Sequence, residues 1–290
     1  MFRNHFLTRN HTNTHMKQLF KTFCFASVLM LAITSCKKDV KENTQQAEVS
    51  EETLSQIKAL GFYTGNVQKV DEGYLVEGDI ILTEDNLKSA APNSPSMVIA
   101  NEEHYRTNYI VSASRYPTIR VALSNSSSSH QSAFSAALDE AIRRYNAQSL
   151  TIKFQRVTSS PHITVKAYYQ VSNTLGSAGF PTSTGAPYHT VNMNTYHYST
   201  STGTTNVNYI ATIMAHEIGH CIGFRHTDYM DRSYSCGGSY SNEGASTVGA
   251  VHIPGTPTGP SSGSWMLACI GSGVNRPFTS YDVTALKYVY

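Results

Sequence analysis

The chain has 290 residues, of which 40% are hydrophobic and 14% charged, and carries a formal net charge of +2. That composition suits one or two globular domains and excludes a disordered, fibrous or collagen-like chain. Its Lys and Arg residues are nowhere gathered into a run interleaved with aromatics, so no nucleic-acid partner is indicated.

Residues 1–15 show no hydrophobic pattern. From Met16, Lys17 and Lys21 form a basic start, an apolar run extends from Phe23 to Ile33, and Thr34-Ser35-Cys36 places small residues before a cysteine. This resembles the signal and lipobox of bacterial lipoproteins. The resemblance implies export, lipidation at Cys36, and a lipid anchor on the bacterial outer membrane or cell surface, with release after processing as a further option. An ordinary signal peptide or a buried N-terminal helix is the alternative. No later stretch has the apolar length of a bilayer span, so any membrane contact rests on this segment. Residues 1–36 are therefore set apart from the fold.

The run Lys37-Lys38-Asp39-Val40-Lys41-Glu42 reads as a solvated tether. Residues 37–109 hold 13 Asp and Glu against 7 Lys and Arg, whereas residues 110–290 hold 7 against 11. Opposite balances favour association of the two parts. A helix is expected from Glu51 to Leu60, closed by Gly61, and strands over 73–82 and 97–100, with the Ala91-Pro92-Asn93-Ser94-Pro95 turn cluster between them. With few long apolar runs, residues 37–109 read as a tether plus an acidic pro-segment or small N-terminal module.

From Thr118 onward strands and helices alternate. Ile119, Val121 and Leu123 alternate as a strand, and Phe134, Leu138, Ile142 and Tyr145 recur at helical spacing. Leu150, Ile152 and Phe154 predict a second strand, Ile163, Val165 and Ala167 a third, and Tyr188 to Met193 an edge strand. An apolar helical run spans Tyr209 to Phe224. Residues 227–264 are irregular, and Thr279-Ser280-Tyr281-Asp282 reads as a capping box that opens a final helix. These elements predict an α+β domain over 110–290.

The chemistry is carried by His216-Glu217-Ile218-Gly219-His220-Cys221-Ile222-Gly223-Phe224-Arg225-His226. On a helix, residues four apart lie on one face, so His216 and His220 present two imidazoles to a single ion. Glu217 projects beside that ion and is the candidate general base. Gly223 lets the backbone leave the helix at positive φ, so that His226 returns as third ligand. Three neutral imidazoles leave a fourth tetrahedral position open, the pattern of a catalytic Zn2+ site.

That string, followed by Ser264-Trp265-Met266, resembles the metzincin clan of zinc peptidases, and its His216-Glu217-Ile218-Gly219-His220 wording is most similar to the dual-action HEIGH metallopeptidases. The resemblance implies a twisted mixed sheet with two long helices and an irregular C-terminal subdomain, in which Met266 forms a turn beneath the histidines. It also implies one catalytic Zn2+, hydrolysis of peptide bonds in protein or peptide substrates, and latency before processing. By analogy, strand 191–193 pairs with substrate and the loop around 256–264 shapes the pocket. A non-catalytic surface-binding lipoprotein and a zinc hydrolase of non-peptide amides remain alternatives. Astacins carry a tyrosine just after the turn methionine; Leu267 and Ala268 stand there here, leaving Tyr229, Tyr281 or no residue for that role.

Leu75-Val76-Glu77-Gly78-Asp79-Ile80 resembles the pro-segment motif whose aspartate fills the open zinc position in astacins, although Gly-Asp between apolar stretches also reads as a hairpin turn. A mature form is expected to begin near 108–117. Of the cysteines beyond Cys36, Cys221 lies within the ligand helix and reads as a buried small residue, which leaves Cys236 and Cys269 as the candidate disulfide.

Overall fold

The computed structural model describes residues 49–88, 104–124, 129–244, 248–257 and 260–290. Cys36, the expected signal segment and the expected strand 97–100 lie outside them. The described residues all fall in one compact unit.

Ser50 caps α1 (Glu51–Ala59), its hydroxyl accepting from the Thr53 amide, and Gly61 at φ 82° reverses the chain. The expected strand over 73–82 is a hairpin. After β1 (Gln68–Val70), β2 (Gly73–Val76) and β3 (Ile80–Leu82) pair antiparallel around a turn at Glu77, Gly78 and Asp79. Alternation divides its side chains: Leu75 and Ile81 enter the main core, while Tyr74, Val76, Ile80 and Leu82 join Ile57, Leu60 and Phe62 in a second cluster closed by Phe180 and Val248. A short helix α2 (Glu84–Lys88) follows.

Beyond the two-residue strand β4 (Tyr105–Arg106), the strands β5 (Thr118–Leu123), β6 (Lys153–Arg156), β7 (Ile163–Tyr168), β8 (Gly176–Gly179) and β9 (Thr190–Asn194) complete an eight-stranded mixed sheet among the described residues, in the order β1-β2-β3-β8-β9-β7-β5-β6. Strands β5, β6, β7 and β9 run parallel, β8 runs antiparallel to β9, and β3 runs parallel to β8. The acidic segment therefore continues the sheet of the C-terminal part and does not form a sheet of its own. Its described side-chain ion pair with that sheet is Lys166 Nζ to Glu72 at 3.3 Å.

The expectation of an edge strand at 188–193 is corrected by this order. β9 is bonded on both sides, by Thr164–Tyr168 of β7 and by Gly176–Ala178 of β8. The strand beside the cleft is β8, whose Gly-Ser-Ala-Gly sequence offers no apolar alternation to read.

Two long helices cover the sheet. α3 (Gln131–Asn146) buries Phe134, Ala137, Leu138, Ala141 and Tyr145 on one stripe. α4 (Thr204–Ile222) is buried almost all round from Tyr209, because the sheet lies on one side and Trp265 and Met266 on the other. The irregular stretch that follows holds the short helix α5 (Ser233–Cys236) and β10 (Val251–His252), which pairs with β4. The chain closes with α6 (Ser280–Val289), capped as expected by Thr279 and Asp282 in a reciprocal box. No described helix is long and apolar enough to cross a membrane.

Candidate active site

α4 carries His216, Glu217 and His220 on its last two turns and ends at Gly223, whose φ of 110° turns the chain out of the helix. β4 then straps this turn. Thr107 N–H donates to Gly223 O at 2.8 Å and Arg225 N–H to Tyr105 O at 2.9 Å, which holds the strand leading into His226. A chain beginning at 108–117 would lack this strap.

Each histidine uses Nδ1 on an acceptor: His216 on Trp265 O at 2.7 Å, His220 on Phe224 O at 2.8 Å, and His226 on Glu243 Oε1 at 2.6 Å. A neutral imidazole that donates from Nδ1 has its lone pair on Nε2. The three Nε2 atoms converge, those of His216 and His220 lying 3.1 Å apart. Facing lone pairs repel, so this donor set fits a shared cation. Asp79 completes it from the β2–β3 turn, its Oδ2 standing 3.0 Å from His226 Nε2 and 3.7 Å from His216 Nε2. The four ligand atoms lie within 4.8 Å of one another. The hairpin turn and the aspartate that faces the histidines are thus the same structure.

Glu217 is 2% exposed, and its Oε2 is buried without a partner. Burial, and then the neighbouring Asp79 carboxylate, push its carboxyl well above the usual range. Room for it is made by Gly176 of β8, where a Cβ would stand 2.8 Å from Glu217 Oε1. Burial alone would raise the Glu243 carboxyl, but His226, Arg232 and Arg225 hold it down to about 2. Glu243 was not singled out in the sequence. It lies 17 residues beyond His226 in an irregular stretch, and nothing local marks it. Because it fixes the His226 tautomer, Glu243→Ala is expected to weaken metal affinity by about 10- to 100-fold, read by chelator titration.

Met266 lies beneath the site. Its Sδ would stand 2.6 Å from a Cβ at Gly219, so the glycine of the motif leaves space for the methionine. Met266 O accepts from Thr227 N–H at 2.9 Å. Asp282, legible in the sequence only as a capping residue, also anchors this turn: it accepts from Ser264 Oγ at 2.7 Å and Trp265 N at 3.2 Å, and pairs with His104 Nε2 at 2.7 Å.

Cys236 and Cys269 are joined by a disulfide with Cα atoms 5.0 Å apart, and Cys221 is a free, buried thiol. The bridge ties α5 to the segment after Met266 and spans 33 residues, so Cys236→Ala with Cys269→Ala is expected to lose up to about 4 kcal/mol of stability, measurable by denaturant unfolding.

A cavity of about 290 Å³ opens beside His216 and Glu217, bounded by Gly176, Arg232, Trp265 and Arg276 among others. Its lining bears on two expectations, the first of which leaves room for no tyrosine at all. Neither Tyr229 nor Tyr281 borders it: Tyr229 is buried against Tyr105 with ring centroids 4.3 Å apart, and Tyr281 is 46% exposed on α6. Among the described residues of 256–264 none borders it either; Leu267 to Ile270 take that side.

The profile of the dual-action HEIGH metallo-peptidase family matches residues 74–290. No curated protein matches the chain at a significant level. Among solved structures, that of myroilysin is similar over 61% of this chain and 95% of its own, with 17% identity and a TM-score of 0.39. The family match covers the hairpin that carries Asp79, the histidine helix and the Met266 turn, and the chain belongs to the dual-action HEIGH metallo-peptidases, a family of metal-dependent peptidases.

Proposed function

We propose that the protein is a zinc endopeptidase of metzincin type, exported and lipid-anchored through Cys36, and made in a latent form with Asp79 in the fourth ligand position. The observation that carries the peptidase and latency reading is the convergence of three Nε2 atoms and the Asp79 carboxylate beside a buried, unpaired Glu217 oxygen, while the anchor rests on the Thr34-Ser35-Cys36 sequence alone.

His216, His220 and His226 would hold the ion. When bound, zinc supplies Lewis acidity, which polarises a carbonyl and makes water acidic near neutral pH. Glu217 acts as general base toward the attacking water and passes the proton to the leaving amine. Glu217 is 2% exposed, and burial reduces the screening of its charge from the reacting atoms.

The peptide class of substrate is supported by β8. Its outer edge is the backbone surface nearest the cleft, and β3 now bonds to it, with Ile80 opposite Ala178 and Ile81 opposite Gly179. Release of β3 would expose N–H and C=O groups that an extended peptide can pair with. Metal position and edge are thus blocked together, by one hairpin.

Incubation of processed protein with a peptide library, with and without a zinc chelator, tests the reading. Internal cuts that vanish with chelator are expected. Removal of single terminal residues only, or cuts indifferent to chelator, would contradict it.

A further inference from the structure

Arg232 precedes α5 and is mostly buried, its side chain 16% exposed. Its Nη1 makes two bonds. One goes to Glu243 Oε1 at 3.1 Å, the oxygen that also accepts from His226 Nδ1. The other goes to a main-chain carbonyl of the blocking hairpin, Glu77 O, at 2.7 Å. Glu77 stands two residues before Asp79, which meets the metal ligands. The guanidinium also borders the cavity that holds His216 and Glu217.

These bonds differ in permanence. Glu243, the adjoining disulfide and the Asp228–Ser235 bond at 2.5 Å all belong to the C-terminal part, so they fix the head group relative to His226 whether or not the hairpin is present. The carbonyl belongs to the segment proposed to leave. Once it has gone, a positively charged N–H donor faces the cleft with its carbonyl partner removed. Every peptide substrate brings replacements, because each of its residues has a main-chain carbonyl.

We infer that Arg232 is a substrate-binding residue of the mature enzyme, donating to a main-chain carbonyl of the bound peptide next to the scissile bond, and that Glu77 O holds its place in the latent chain. The inference rests on the latent-peptidase reading above. Arg276, the other cation of the cavity, donates from Nη1 to Cys269 O at 3.2 Å, a carbonyl of the same part of the chain, and so is not released by the hairpin.

The bond to a substrate carbonyl is made on binding and kept through the reaction, which locates its effect in KM. A hydrogen bond from a charged donor is worth enough that losing it raises KM by about tenfold or more. The experiment compares mature wild type, Arg232→Gln and Arg232→Lys, each obtained by processing the full-length chain, for kcat, KM and zinc affinity by chelator titration. The expected result is a KM raised by about tenfold or more in Arg232→Gln, with kcat and zinc affinity within about threefold of wild type, and partial recovery in Arg232→Lys, which keeps a charged donor. An unchanged KM overturns the inference, as does a loss confined to kcat. A rise in KM that tracks weakened zinc binding and disappears at saturating zinc overturns it too, since Arg232 would then act only by supporting Glu243. Wild type that cuts no peptide would refute the peptidase reading itself, a separate failure.

Discussion

Glu217→Gln is expected to keep its metal and lose turnover by about 10²- to 10⁴-fold, the range over which a general base contributes. His216→Ala, His220→Ala and His226→Ala are expected to lose both. The contrast follows from the positions of the side chains. The three histidines aim Nε2 at a common point and are held there through Nδ1 by Trp265 O, Phe224 O and Glu243, whereas the glutamate reaches the cavity with one oxygen unpartnered. Gln fits the space that Gly176 leaves for Glu217 and cannot accept a proton at neutral pH. Metal content by elemental analysis and rate on one peptide separate the two classes; a Glu217→Gln variant with near-normal rate would remove the general-base assignment.

The second large effect concerns latency. Asp79→Ala in the full-length chain is expected to raise activity, because a carboxylate beside His226 and His216 no longer competes for the fourth ligand position. Each ~1.4 kcal/mol of lost blocking energy multiplies the open population about tenfold. Activation should nonetheless stop short of the processed enzyme. β3 still bonds to β8, and Arg232 still holds Glu77 O. The expected order of rates is processed, then Asp79→Ala, then full-length, with the gap between the first two widest for long peptides that need the β8 edge. A processed form that keeps Tyr105–Thr107 is the one to compare, since these residues strap the turn before His226. Equal rates for all three proteins on a short peptide would refute the blocking role of Asp79.

The histidine string, the strands from Thr118 to Ala167 and the final capping box are legible because their signals are local: a helical spacing, an alternation, a reciprocal pair three residues apart. What the sequence hides is non-local or carried by backbone. β8 is written Gly-Ser-Ala-Gly, so its place beside the cleft shows only when β3 and β9 are seen to flank it. Glu243 and Arg232 sit in a stretch without periodicity, and only the fold brings them to His226. The Tyr188–Met193 run reads as an edge strand yet is bonded on both sides, because a buried strand and an edge strand look alike at this length. Asp79 has two readings, ligand and turn, and the hairpin that makes it a turn residue also brings it beside His226.

The central claim is that one zinc ion, held by His216, His220 and His226, makes this chain a peptidase. It is tested most directly by measuring zinc stoichiometry and peptide hydrolysis of the processed protein before chelation, after it, and after zinc is restored. The account predicts one zinc per chain, hydrolysis that disappears with the metal while the fold persists by circular dichroism, and recovery on adding zinc back. Hydrolysis that continues at full rate in metal-free, folded protein would contradict it.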